Sequence, residues 1–250
     1  MESKTSFMSC SELLDHDVSK WIVGKIDKLQ GRARFCSYNA VRFLHWADDI
    51  FETSHLVASY CAMNATEEAV AAFISSAKEN GHKSSGGKVN LHAHPNKAMV
   101  SIFAQRCTII ANKAKLAIQV HKPTDSLAFR VPKGEGYHYG HLHLSTFQIG
   151  TSGSNEIDNG IMLGDMPSLE DIENEAQLTH QKRNSLLYAT DSGVSSGFIR
   201  PDYEIARNTA LSLGLIWAAV DMYMHPEQDR PLIEEILPHL VPTPRLRSPS

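Results

Sequence analysis

The chain has 250 residues, 42% of them apolar and 21% charged, and a formal net charge of −4. That length supports a sizeable core in one domain or two, and the mild acidity excludes a general electrostatic coat for nucleic acid, so any RNA contact would need a local basic patch. The four cysteines (Cys10, Cys36, Cys61 and Cys107) contain no Cys-x-x-Cys pair, which argues for reduced thiols in a cytoplasmic protein and against a disulfide framework or zinc ribbon.

Residues 1–30 have no apolar signal core and read as a loosely attached leader with one helical turn. In "YNAVRFLHWADDIF" Val41, Leu44, Ala47 and Phe51 recur at helical spacing and predict a first long helix. In "SHLVASYCAMNATEEAVAAFISSAKENGH" Leu56, Tyr60, Met63, Val70, Phe73 and Ile74 share a face of a second helix, stopped at "ENG". Asn64 to Thr66 mark a local irregularity within it. After the loop "KSSGG" a third helix opens at Pro95 and runs through "AIQV" near residue 120, where "HKPTDS" breaks it. "SLAFRVPKGEGYHYGHLHLSTFQIG" has two short alternating runs about a glycine turn, which predict a small β-hairpin or ordered loop.

Helical signals return at "PSLEDIENEAQLTHQKRNSLLYA", where Ser168 and Asp171 have capping-box spacing. A last main helix starts near Pro201 and turns Leu211, Leu215, Ala218 and Met222 to one side. Its stretch "ALSLGLIWAAV" is too short to span a bilayer, so no membrane partner is expected. The fold class is all-α: an antiparallel helical bundle over 31–225 with an insertion at about 121–166, then a short helix and tail over 226–250.

Three groups could carry chemistry. The first is histidine-rich: "GYHYGHLHLS" holds His138, His141 and His143, and "NLHAHPNK" holds His92 and His94. Alternate strand positions share a face, as a zinc site needs, but no carboxylate or His-Glu-x-x-His accompanies them. Packing and hydrogen bonding are the plainer roles. His94 and Lys97, one helical turn apart, are the more informative pair. The second is Glu67-Glu68, about 100° apart on a helix; it is either a solvated face or a buried carboxylate that needs a cation. The third is His180 and Arg183, which share a helix face. They could recognise phosphate, serve as base and clamp in RNA cleavage, or form a basic turn.

The ordered series "YNAVRFLHWADDIF", "ATEEAVAAF", "HPNKAMV" and "HQKRNSLLYATD" resembles the AbiV-type abortive-infection proteins, helical members of the broad HEPN group. The resemblance covers roughly 35–120 and 170–222. It rests on Asn39 and Asp48, Glu67 and Glu68, His94 and Lys97, then His180, Lys182, Arg183, Tyr188 and Asp191. It implies a HEPN-like bundle, a likeness to toxins that shut down host translation or RNA integrity, and a homodimer. Two departures stand out. No arginine is followed by histidine after four to six residues, the usual HEPN ribonuclease signature, and segment 121–166 has no counterpart.

The leading expectation is thus a cytoplasmic phage-defence protein, either a metal-independent ribonuclease or a translation inhibitor, with no cofactor. Its partners would be RNA or a ribosome-associated target and a phage or host protein trigger. His180 or His94 would act as general base, Arg183 with Lys97 or Lys182 as charge stabiliser, and Glu67 and Glu68 would complete the catalytic set. Lys182, Tyr188, Asn39, Asp48 and Asp191 are assigned to binding. A non-catalytic protein-binding bundle, in which a glutamate pairs with Lys97 or Arg183, is the alternative. A histidine-ligated metal hydrolase ranks last.

Overall fold

A computed structural model describes residues 8–81, 94–113, 117–133, 136–141, 168–187, 200–227 and 236. Among these residues there are seven α-helices: α1 (Cys10–Asp15), α2 (Asp17–Gly24), α3 (Gly31–Asp49), α4 (His55–Glu79), α5 (His94–Lys113), α6 (Leu169–Leu187) and α7 (Pro201–Met224). A three-stranded antiparallel sheet lies between α5 and α6 in the chain, in the order β1 (Ala117–His121), β2 (Ser126–Lys133), β3 (Gly136–His141). No described helix is long and apolar enough to cross a membrane.

The bundle is built around α4. From Ala69 to Ala77 every residue of this helix is buried, polar Ser75 and Ser76 included, as expected of a helix that is covered on all sides. Alanines at 58, 62, 65, 69 and 72 are also buried. Alanine has the best helix propensity, and its small side chain lets neighbouring helices approach. α4 packs chiefly on α3 and α7 and also meets α5 and α6. Ser54 caps its start, its Oγ accepting from the Val57 N–H at 3.4 Å. The helix runs unbroken through the expected irregularity, where Asn64 donates to the carbonyl of Tyr60 and the Thr66 hydroxyl lies 3.3 Å from that of Ala62. The stop falls as expected, with Asn80 as C-cap and Gly81 at φ +86°. Leu56, however, is exposed.

The expectations for the leader and for the third helix need correction. Over its described residues, the leader is two capped helices and a 3-10 turn (Ile26–Lys28) that place Cys10, Ile22, Ile26 and Leu29 in the core. The third helix ends by Lys113, and "AIQV" is strand β1 instead. β-Branched Ile118 and Val120 suit a strand and pair with Phe129 and Leu127. The described residues are mostly helical with a small antiparallel sheet, in keeping with the expected helical bundle that carries a β-hairpin. The expected hairpin does form, as β2 and β3, and so does the capping box at Ser168 and Asp171.

Asp125 fastens the sheet to α2. Its backbone is left-handed (φ 48°), which an aspartate tolerates better than most residues. Its carboxylate accepts from Trp21 Nε1 at 2.9 Å and pairs with Lys25. The Lys25 hydrogen bond, then that of Trp21, hold the Asp125 carboxyl below its usual range. A depressed folded-state pKa stabilises above the ordinary carboxylate value and is lost as pH falls through the lower one. Asp125 is exposed and screened by water, so the pair's contribution is under about 1 kcal/mol. Urea midpoints of the wild type and Asp125→Asn should differ at pH 7 and converge only as pH falls below the ordinary carboxylate range. A gap that stays constant with pH would show that the ion pair is not the fastening.

Candidate functional site

Adjacent glutamates on a central helix must face different neighbours, because successive residues turn by about 100°. Glu67 enters the side shared by α5, α6 and α7, whereas Glu68 enters the groove toward α3. Glu67 Oε1 lies 2.8 Å from Arg183 Nε, and Oε2 lies 3.7 Å from Lys97 Nζ. The three side chains keep only 17%, 13% and 11% of their exposure, respectively. Arg183 Nε is shielded from solvent and makes no aligned hydrogen bond, so its contact with Glu67 is a charge pairing. Three helices thus bring one carboxylate and two cations together across more than a hundred positions.

Arg183 reaches this place because Ile172, Ala176, Thr179 and Arg183 follow helical spacing along α6. The first two are buried and the last two line the cleft. The sequence pattern predicts that Leu178, with Leu186 and Leu187, marks the buried side of this helix, but Leu178 is 65% exposed. Lys97 stands in the first turn of α5, next to the buried stripe of Met99, Val100, Ile102 and Phe103.

Beside the charges lies a polar seam that the sequence reading missed. Thr66 Oγ donates to Asn208 Oδ1 at 2.9 Å and meets Ser212 Oγ at 3.1 Å, while Asn208 Nδ2 donates to the Glu204 carbonyl at 2.8 Å. All of these side chains are on α4 and α7, and they lock the two helices in register next to Glu67. The available signal was "RNTALS" (207–212), small polar residues spaced within an otherwise apolar helix. The cleft bounded by Thr66, Glu67, Lys97, Ser101, Arg183 and Asn208 has a volume of about 50 Å³. That is room for a few water molecules at most and far below the ~300 Å³ or more of a pocket for a nucleoside-sized ligand.

The other expected site residues do not join this centre where they are described. Glu68 shares a shallow groove of about 400 Å³ with Phe35, Cys36, Tyr38, Asn39 and Arg42. Burial and then the Glu68 charge push the Cys36 thiol up. Asn39 accepts a hydrogen bond from Arg42 in the same groove. Asp48 lines a separate pocket of about 210 Å³ with Cys10, Phe51 and Asp202. There burial pushes the Cys10 thiol up to about 11, against the opposing bond from Thr209 at 3.1 Å. Asn39, Asp48 and Glu68 are separated from Glu67 by helix geometry, because they use other faces of α3 and α4.

His94 and His180 lie on α5 and α6, one turn before Lys97 and Arg183, but their side chains are outside the described residues, as is that of Lys182. Tyr188, Asp191 and His143 are wholly outside them. His138 and His141 occupy β3 opposite Val131 and Ala128. Among the described residues no three His, Cys, Asp or Glu side chains come together in a way that could hold a metal ion. No protein-family model, curated protein or solved structure matches the chain.

Chemically, the centre of Glu67, Lys97 and Arg183 sums to one formal positive charge. It offers guanidinium and ammonium donors at the rim of a small cleft. Such a rim can contact a phosphate oxygen, but it cannot engulf a base or sugar.

Proposed function

We propose that the chain is a bacterial phage-defence effector of the abortive-infection type, acting on RNA through the Glu67, Lys97 and Arg183 centre. The observation that carries this reading is the convergence of those three side chains. They come from three separate stretches of the ordered series that resembles the AbiV-type proteins, and each reaches the same cleft. In this reading Lys97 and Arg183 contact a phosphodiester at the cleft mouth, and Glu67 holds both cations in place. A histidine of α5 or α6, His94 or His180, takes the proton from a ribose 2′-hydroxyl as its oxygen attacks the adjacent phosphorus. The P–O5′ bond then breaks, the 5′-oxygen leaves as a hydroxyl with a proton from water, and a 2′,3′-cyclic phosphate remains.

A second reading is favoured by the small cleft and by the pairing of both cations with Glu67. Here the cluster is a non-catalytic clamp that holds α4, α5 and α6 together. The test is to express wild type, Arg183→Lys and His180→Ala in bacteria and compare growth, RNA integrity and phage plaque counts. Arg183→Lys keeps the charge but loses the planar fork. On the RNA reading, wild type fragments RNA and lowers plaque counts, and both variants abolish this while keeping their thermal midpoints. On the clamp reading, RNA stays intact and Arg183→Lys lowers the midpoint.

A further inference from the structure

The exposed face of α3 is poorly explained by the packing of one chain. Phe35 is 71% exposed, and Tyr38 and Trp46 are each more than 40% exposed. Arg42 lies over the Trp46 ring at 5.0 Å from its centroid and donates to Asn39, so the aromatic ring and guanidinium are held as one platform. Two rows spaced by seven residues run side by side down this face. One is Arg32, Asn39 and Trp46; the other is Phe35, Arg42 and Asp49. Rows offset by three within a seven-residue spacing form the seam of a helix pair.

These rows are related in a specific way. Reversing the direction of α3 about the midpoint between Ala40 and Val41 sends Arg32 onto Asp49, Phe35 onto Trp46 and Asn39 onto Arg42. A twofold axis there sets cation against anion, ring against ring and amide against guanidinium, each twice. A face with that property is its own complement, which a twofold interface requires. We propose that α3 is the contact surface for a second copy of this chain, packed antiparallel, with Arg32 meeting the partner's Asp49 and Phe35 meeting the partner's Trp46. The seam carries arginine and asparagine at its centre, a composition that suits a reversible dimer rather than an obligate one. A single-stranded nucleic acid could stack on the same rings, but Asp49 at one end and Glu68 in the adjoining groove oppose its phosphates.

The pairing of Arg32 with Asp49 makes a decisive test. Sedimentation equilibrium of the full chain over about 1–100 μM should show a monomer–dimer equilibrium. Arg32→Glu and Asp49→Arg should each weaken it by at least about tenfold, because each sets two like charges face to face. The double variant should recover most of the loss. Both positions are exposed, and far-UV circular dichroism checks that each variant is folded. A chain that is monomeric throughout would overturn the proposal. So would single variants that dimerise like wild type, or a double variant that stays weakened. Retention of a fluorescent oligouridylate by a monomeric chain, lost in Phe35→Ala, would assign the face to nucleic acid and overturn it too.

Discussion

Glu67→Gln is expected to lower the unfolding free energy by about 3 kcal/mol, the lower end of the range for breaking a buried ion pair. Glutamine keeps the shape of the side chain but removes the charge that compensates Lys97 and Arg183. Both cations are nearly buried, so solvent can replace the lost carboxylate only in part. For a chain of this size the loss corresponds to a fall of roughly 6–12 °C in melting temperature. Glu68→Gln is the internal control. Glu68 opens onto the shallow groove beside α3, where water reaches it, and its replacement should cost less than about 1 kcal/mol. Urea unfolding of both variants at pH 7 decides the matter. Equal effects would mean that the two adjacent carboxylates stand in similar surroundings, and the centre would lose its standing as a buried charge cluster.

The second large effect is expected at the core. Ile74 is fully buried in the C-terminal half of α4 and belongs to the main apolar cluster with Leu44, Ile172, Ile216 and Met222. Ile74→Ala removes three carbons from a position closed in on all sides, so the neighbours cannot fill the void. The expected loss is about 3–5 kcal/mol, transfer and cavity contributions together. Leu178→Ala, on the exposed side of α6, should change stability by less than about 0.5 kcal/mol. If the two substitutions proved equally costly, the assignment of the inward face of α6 would be wrong.

That contrast marks where local pattern and packing part company. Periodicity alone determined the long helices α3, α4 and α7 and the apolar stripe of Val41, Leu44 and Ala47, because these positions combine strong spacing with strong helix formers. The capping box at Ser168 and the stop at Asn80 and Gly81 were equally local, since a cap satisfies backbone groups within one turn. Which side of α6 faces inward was not local. Leu178 fits an apolar stripe as well as Ile172 does, and only the position of α4 and α5 decides between them. "AIQV" likewise continues a helical stretch on paper but pairs as a strand, because β2 is there to accept its hydrogen bonds.

The same division holds for the candidate site. The sequence by itself marked Glu67, Lys97 and Arg183 as polar residues beside apolar stripes, and burial of a carboxylate demanded a cation for it. It could not choose between Glu67 and Glu68, because adjacent positions carry the same composition and differ only in the direction they face. The tertiary structure made that choice by surrounding α4 on every side. It sent Glu67 to the two cations and Glu68 to the α3 groove, and it set Asn39 and Asp48 on faces that the cluster does not share. It also recruited Thr66 and Asn208, whose pairing depends on the register of α4 against α7. Such register is a property of two packed surfaces, which no single stretch of sequence contains.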